Sequence, residues 1–120
     1  MFFGCVLLDS IYLSNFNGSS LIYMKYMFLA CRSLKSIKLI NFRTTLVTDM
    51  ILMFFGCNAI QSINFVNFNT SSVNNMGYMF CGCNSLKTIN LSNFDTSLVT
   101  NMSSMFYGCS SLQSINLSIF

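Results

Sequence analysis

The chain contains no histidine, proline or tryptophan, and only 8% of its 120 residues are charged. Each shortage removes a class of function. Without histidine, a nucleophilic thiol or hydroxyl has no imidazole base beside it, and a metal site would have to be assembled from thiolates or carboxylates alone. The acidic side chains are Asp9, Asp49 and Asp95. They lie one and a half or more repeat lengths apart and at different phases of the repeat, so no carboxylate pair is available for acid/base catalysis. Catalytic, cofactor-binding and metal-ligating residues are therefore expected to be absent, and no cofactor is implied.

Long apolar runs are missing too, although 53% of residues are hydrophobic. A membrane-spanning helix needs about 18–20 consecutive apolar residues, whereas clusters such as residues 50–57 are soon broken by polar ones. The opening "MFFGC" has no basic region and no small-residue cleavage site, so it does not read as a secretion signal. The net charge of +3 sets Lys25, Arg32, Lys35, Lys38, Arg43 and Lys87 against the three aspartates. Four of these six fall within residues 27–52, a patch too small for the basic stripe of a nucleic-acid binder.

What the chain does contain is repetition. "MFFGC" recurs at 53–57, with relatives "MFLAC" (27–31), "MFCGC" (79–83) and "MFYGC" (105–109). The leading methionines 1, 27, 53, 79 and 105 are 26 residues apart, so the units are 1–26, 27–52, 53–78, 79–104 and a partial 105–120. A perfect period without gaps predicts a single array of stacked units, part of a longer one, with no internal domain boundary.

Two rhythms alternate within a unit. In "SLKTINLSNF" (85–94) Ile89 and Leu91 alternate with polar residues, the period of a short strand with one buried face. In "DTSLVTNMSSMFYGC" (95–109) apolar residues at Val99, Met102, Met105, Phe106 and Cys109 follow helical spacing. The trio Asp95, Thr96 and Ser97 reads as an N-terminal cap, and Gly108 as a left-handed C-terminal stop. Gly4, Gly56 and Gly82 share that place, but Ala30 does not, which predicts either a different ending or a strained backbone there. The expected fold class is therefore α/β: a right-handed leucine-rich-repeat-like solenoid with one short parallel strand and one short helix per 26-residue repeat. Its spine is expected to be the columns Phe16, Phe42, Phe68, Phe94 and Phe120; Ile11, Ile37, Ile63, Ile89 and Ile115; and Met24, Met50, Met76 and Met102.

The correlated strings "MFYGCSSLQSINLS" (105–118) and "NLSNFDTSLVTNMSSMF" (90–106) resemble the repeat of BspA-like leucine-rich-repeat surface proteins, in the variety also known as the Mycoplasma lipoprotein repeat. The resemblance covers the whole chain. It departs from ordinary leucine-rich repeats where an asparagine bonds backbone inside the turn, since Phe16 and its equivalents stand there. Asn15, Asn41, Asn67 and Asn93, one residue earlier, are candidates for that role. The resemblance implies a cell-surface or secreted protein without enzymatic activity, used for adhesion or for binding a protein or glycan on another cell or matrix.

Two features invite sharper readings. Cys5, Cys31, Cys57, Cys83 and Cys109 form one column and Cys81 adds a local CxC, but parallel same-column cysteines meet disulfide torsion badly, so buried free thiols are expected. The sequons at Asn17, Asn69, Asn90, Asn101 and Asn116 are expected from composition in an Asn/Ser-rich repeat. Binding is placed on the exposed strand face, at Tyr12, Lys38, Ile40, Asn64, Val66, Thr88, Asn90, Ser92, Ser114 and Asn116. The rival reading is a structural or self-assembling scaffold without a specific ligand, stacking end to end through apolar rungs that no polar cap covers.

Overall fold

A computed structural model describes residues 2–15 and 20–116. Its strands are β1 (Ser10–Ser14), β2 (Ser36–Ile40), β3 (Ser62–Asn64), β4 (Thr88–Asn90) and β5 (Ser114–Asn116). Every strand pairing is parallel and in register at the repeat length, as in Ile11↔Ile37, Ile37↔Ile63 and Ile89↔Ile115. A second parallel column of single bridges runs Tyr23↔Asp49↔Asn75↔Asn101. The chain is thus a stack of 26-residue rungs held by two columns of backbone pairing.

The expected helix per repeat is absent: among the described residues there is no helix at all, and the fold is all-β with turns. Residues 24–31 show why. Met24, Tyr26, Phe28 and Ala30 donate their amides to Asp49, Ile51, Met53 and Phe55 of the next rung at 2.9, 3.2, 2.9 and 2.8 Å. The intervening Met27, Leu29 and Cys31 donate three residues back, to Met24, Tyr26 and Phe28. An α-helix needs every amide for its own i−4 carbonyl, and here alternate amides serve the neighbouring rung. The result is a ribbon of tight turns, repeated at 50–57, which returns apolar side chains to one face every three or four residues and so imitates helical spacing.

Left-handed residues reinforce this outcome. Tyr26, Leu52, Tyr78 and Ser104 have φ of 51–60°, and four residues further on Ala30, Gly56, Gly82 and Gly108 have φ of 58–77°. Right-handed helix cannot propagate through such a pair. At Gly82 a Cβ would also lie 3.5 Å from the Gly56 backbone, so the rungs approach closely along this column. Ala30, at φ 58°, carries the strained backbone that the sequence allowed for. Ala30→Gly is therefore expected to stabilise the fold by about 1 kcal/mol, read as a rise in the urea midpoint; an unchanged or lower midpoint would contradict the strain.

The apolar columns fill the space between strand and turn. Phe42, Phe68, Phe94, Ile37, Ile89, Met24, Met50 and Met76 are buried as expected, whereas Met102 is 40% exposed and Ile115 half-buried at the last described rung. Phe16 and Phe120 lie outside the described residues. The most regular column is a different one: Phe2, Phe28, Phe54, Phe80 and Phe106 stack ring on ring at 5.4, 5.2, 5.6 and 5.4 Å.

Buried polar links join the rungs as well. Thr70, 1% exposed, accepts the Asp95 amide at 2.8 Å and donates to the Asp95 carbonyl at 2.9 Å. Thr44 does the same for Asn69 at 2.8 and 2.6 Å. Thr70→Val keeps the shape but strands both Asp95 backbone groups, so a loss of about 2–3 kcal/mol is expected, with Thr70→Ser losing less. Equal midpoints for the two variants in urea denaturation would refute the bridging role.

Candidate functional site

The side chains that alternate outward from the strands form the exposed face. Tyr12 faces solvent at 63% and Val66 at 39% exposure; Lys38, Asn64, Thr88, Asn90, Ser114 and Asn116 are exposed, and Ile40 and Ser92 half-buried. Tyr12 pairs with Lys38, Lys38 with Asn64, and Asn90 with Asn116. Between Asn64 and Asn90 the ladder is interrupted, and the sheet divides into β1-β2-β3 and β4-β5.

The interruption coincides with a single departure from the repeat. Leu39 and Leu91 are buried in a column that holds Phe65 in the third rung. The Phe65 ring packs edge-on against Phe54, Phe80 and Phe94 at 6.2, 6.2 and 5.1 Å and lies 4.9 Å from Phe68. A ring needs more room than leucine, and the strands beside it do not close. A groove of about 510 Å³ follows, lined among others by Lys38, Asn64, Phe65, Val66, Asn90 and Asn93.

The structure thus gathers Lys38, Asn64, Val66 and Asn90 in one groove. Tyr12 lines a smaller one of about 190 Å³ with Ser10, Ser36 and Lys38. Ile40, Thr88, Ser92, Ser114 and Asn116 line neither of these two. Asn90 is partly committed, since its Oδ1 accepts the Ser92 amide at 2.9 Å. Sequence reasoning passed over Phe65, whose signal was visible as the one aromatic in a leucine column. It also passed over Arg43, which lines a groove of about 730 Å³ with Asn15, Asn41, Asn67 and Asn69.

Asparagines follow two patterns. Asn41 and Asn67 do not bond backbone inside a turn; their Nδ2 groups donate to Asn15 and Asn41 Oδ1 at 3.0 and 2.9 Å, an external amide ladder on left-handed residues. Others close turns two residues ahead. Asn69 Oδ1 accepts the Ser71 amide and hydroxyl at 2.8 and 2.7 Å, and Asn101 Oδ1 those of Ser103 at 3.0 and 2.8 Å. The Asn-x-Ser spelling at Asn69, Asn90 and Asn101 is therefore the spelling of an Asx-turn; Asn17 lies outside the described residues. Asp95 uses the same geometry in place of a helix cap, and the Ser97 hydroxyl and amide hold its carboxyl below the usual value.

All six cysteines are free, and Cys31, Cys57, Cys81 and Cys83 are buried. They are more than apolar filler. Cys31, Cys57, Cys83 and Cys109 each donate a thiol hydrogen to the carbonyl of Phe2, Phe28, Phe54 and Phe80 in the preceding rung, at 2.9, 3.1, 3.3 and 3.1 Å. Burial, aided by the neighbouring Cys31 thiol, pushes Cys57 up to about 12, and burial pushes Cys83 up further. Thiolates are thereby suppressed, the opposite of what a nucleophile needs. Among the described residues no three histidine, cysteine or acidic side chains gather to hold a metal ion. Nor is any helix there long and apolar enough to cross a membrane.

Fold and face together define a class: a tandem-repeat protein of 26-residue rungs that presents regular columns of side chains. The family model described as "Mycoplasma protein of unknown function, DUF285" matches residues 1–64 and 24–118, and the chain belongs to that family. No curated protein and no solved structure matches the chain.

Proposed function

We propose that the chain is a non-enzymatic binding module, displayed at the cell surface or secreted, that engages a protein or glycan through its exposed strand face. The observation that carries this reading is the groove at the β3/β4 interruption. There a cation (Lys38), amides (Asn64, Asn90, Asn93) and apolar groups (Phe65, Val66) line one groove. Mixed groups of this kind suit recognition through many modest contacts. The surface location rests on the resemblance of the repeat to BspA-like surface proteins.

Protease shaving of intact cells, followed by mass spectrometry, tests the location: peptides covering residues 88–120 are expected without lysis. Binding to host-cell and matrix preparations tests the site. The double variant Lys38→Glu, Val66→Asp is expected to lose at least about tenfold in affinity, a difference of ~1.4 kcal/mol, with its urea midpoint close to wild type. Peptides released only on lysis would overturn the surface reading, undiminished binding by the variant would overturn the strand-face site, and no binding by the wild type would leave the scaffold reading in its place.

A further inference from the structure

The turn ribbon carries a second surface that the strand face does not explain. On each rung two residues flank the inward-facing Met-Phe pair: Tyr26 and Leu29, Leu52 and Phe55, Tyr78 and Cys81, Ser104 and Tyr107. In every case the second donates its amide to the carbonyl of the first, at 3.2, 3.2, 3.1 and 3.1 Å. Each of these pairs holds one aromatic, and the aromatic changes side from rung to rung. Phe3 occupies the corresponding place on the first rung. The rings are exposed by 66% (Phe3), 42% (Tyr26), 37% (Phe55), 39% (Tyr78) and 75% (Tyr107).

These five rings form a zigzag of one ring per rung, beside the Phe2 to Phe106 stack whose spacing is 5.2–5.6 Å. Rings on the same side recur every second rung. Two of them stand on strained backbone, Tyr26 at φ 60° and Tyr78 at φ 56°, whereas the neighbouring left-handed column uses glycine in four of its five places. Bulky side chains at such positions cost stability that glycine would spare.

The strip is also uncharged. Neither flanking position holds a charged residue on any rung, and Lys25, next in sequence to Tyr26, is held over the Tyr23 ring at 5.3 Å. A polyanion or an anionic membrane would meet no row of cations here. A neutral polymer with a short axial repeat fits.

We propose that this strip binds a neutral, extended β-1,4-linked polysaccharide. The axial C–H bonds of a pyranose carry partial positive charge and stack on the negative face of an aromatic ring. Such a chain advances about one rung per sugar at the ~4.8 Å spacing of paired strands. Successive sugars are turned by half a revolution, so equivalent groups recur every second sugar, as the rings do every second rung. The proposal stands independently of the strand-face reading.

The test is co-sedimentation of the whole chain with insoluble cellulose and chitin, alongside neutral phospholipid vesicles. Retention on at least one polymer is expected, and it should persist in about 0.5 M salt, where surface charge interactions are screened. Phe3→Ala, Tyr107→Ala alters the two most exposed rings and is expected to lower retention at least about fivefold with an unchanged urea midpoint. The strand-face variant Lys38→Glu, Val66→Asp should retain polymer fully, which separates the two sites. Failure to sediment with either polymer, undiminished retention by the double-ring variant, or sedimentation with vesicles alone would each overturn the proposal.

Discussion

Phe54→Ala is expected to destabilise the chain by about 3–5 kcal/mol, the cost of losing a fully buried aromatic and leaving a cavity. The ring is 0% exposed, lies between Phe28 at 5.2 Å and Phe80 at 5.6 Å, and receives the edge of Phe65 at 6.2 Å. Stacked pairs add about 0.5–1.5 kcal/mol beyond burial, and here one truncation breaks two of them at the centre of the stack. A domain's whole stability is only about 5–15 kcal/mol, so the variant gives up a large share of it. Phe68→Ala, removing a ring that stacks on Phe94 at 5.9 Å, belongs in the same range. Urea denaturation followed by circular dichroism checks both. A Phe54→Ala loss below about 1 kcal/mol would show that the stack is not the structural spine.

Stability should also fall steeply in alkali. A thiol whose folded pKa is raised binds its proton more tightly when folded, so its contribution is present in full below the unfolded value of 9.0 and is lost as pH rises toward the folded value. For Cys57, which burial first and the Cys31 thiol second push up to about 12, the window runs from 9.0 to about 12. Each pH unit within it costs about 1.4 kcal/mol for that thiol alone, and ~4 kcal/mol across the window. Cys83, raised further by burial, deepens the fall. Urea midpoints between about pH 8 and pH 11 should be level at first and then decline, and Cys57→Ala should decline less steeply. A profile as flat in the wild type as in the variant would mean that these thiols are open to water.

Much of this molecule could be read without coordinates. The period fixes which residues stack, because identical side chains 26 apart must share an environment in any regular array. The strand followed as well, since Ile37 and Leu39 or Ile89 and Leu91 alternate with polar neighbours and are buried. Even the anomaly at Ala30 was visible as the one break in a glycine column. The outward positions of the candidate face were legible for the same reason, although periodicity says nothing of what they bind.

The helix was not legible, and the reason is geometric. Apolar residues three and four apart describe either a helix or a chain of tight turns, and local sequence does not distinguish them. The stack does. Packed helices stand about 8–10 Å apart, twice the ~4.8 Å between paired strands, so a helix on every rung would force the stack to fan open. The turn ribbon matches the strand side instead, allowing Phe28, Phe54 and Phe80 to stack at 5.2–5.6 Å while Met24, Phe28 and Ala30 bond the next rung. The groove is a tertiary fact of the same kind, arising where Phe65 meets rings from two other columns. Sequence alone determined which residues would lie side by side, because repetition is a one-dimensional property. How far apart the rungs stand, and hence which backbone can repeat on all of them, was decided only when they were stacked.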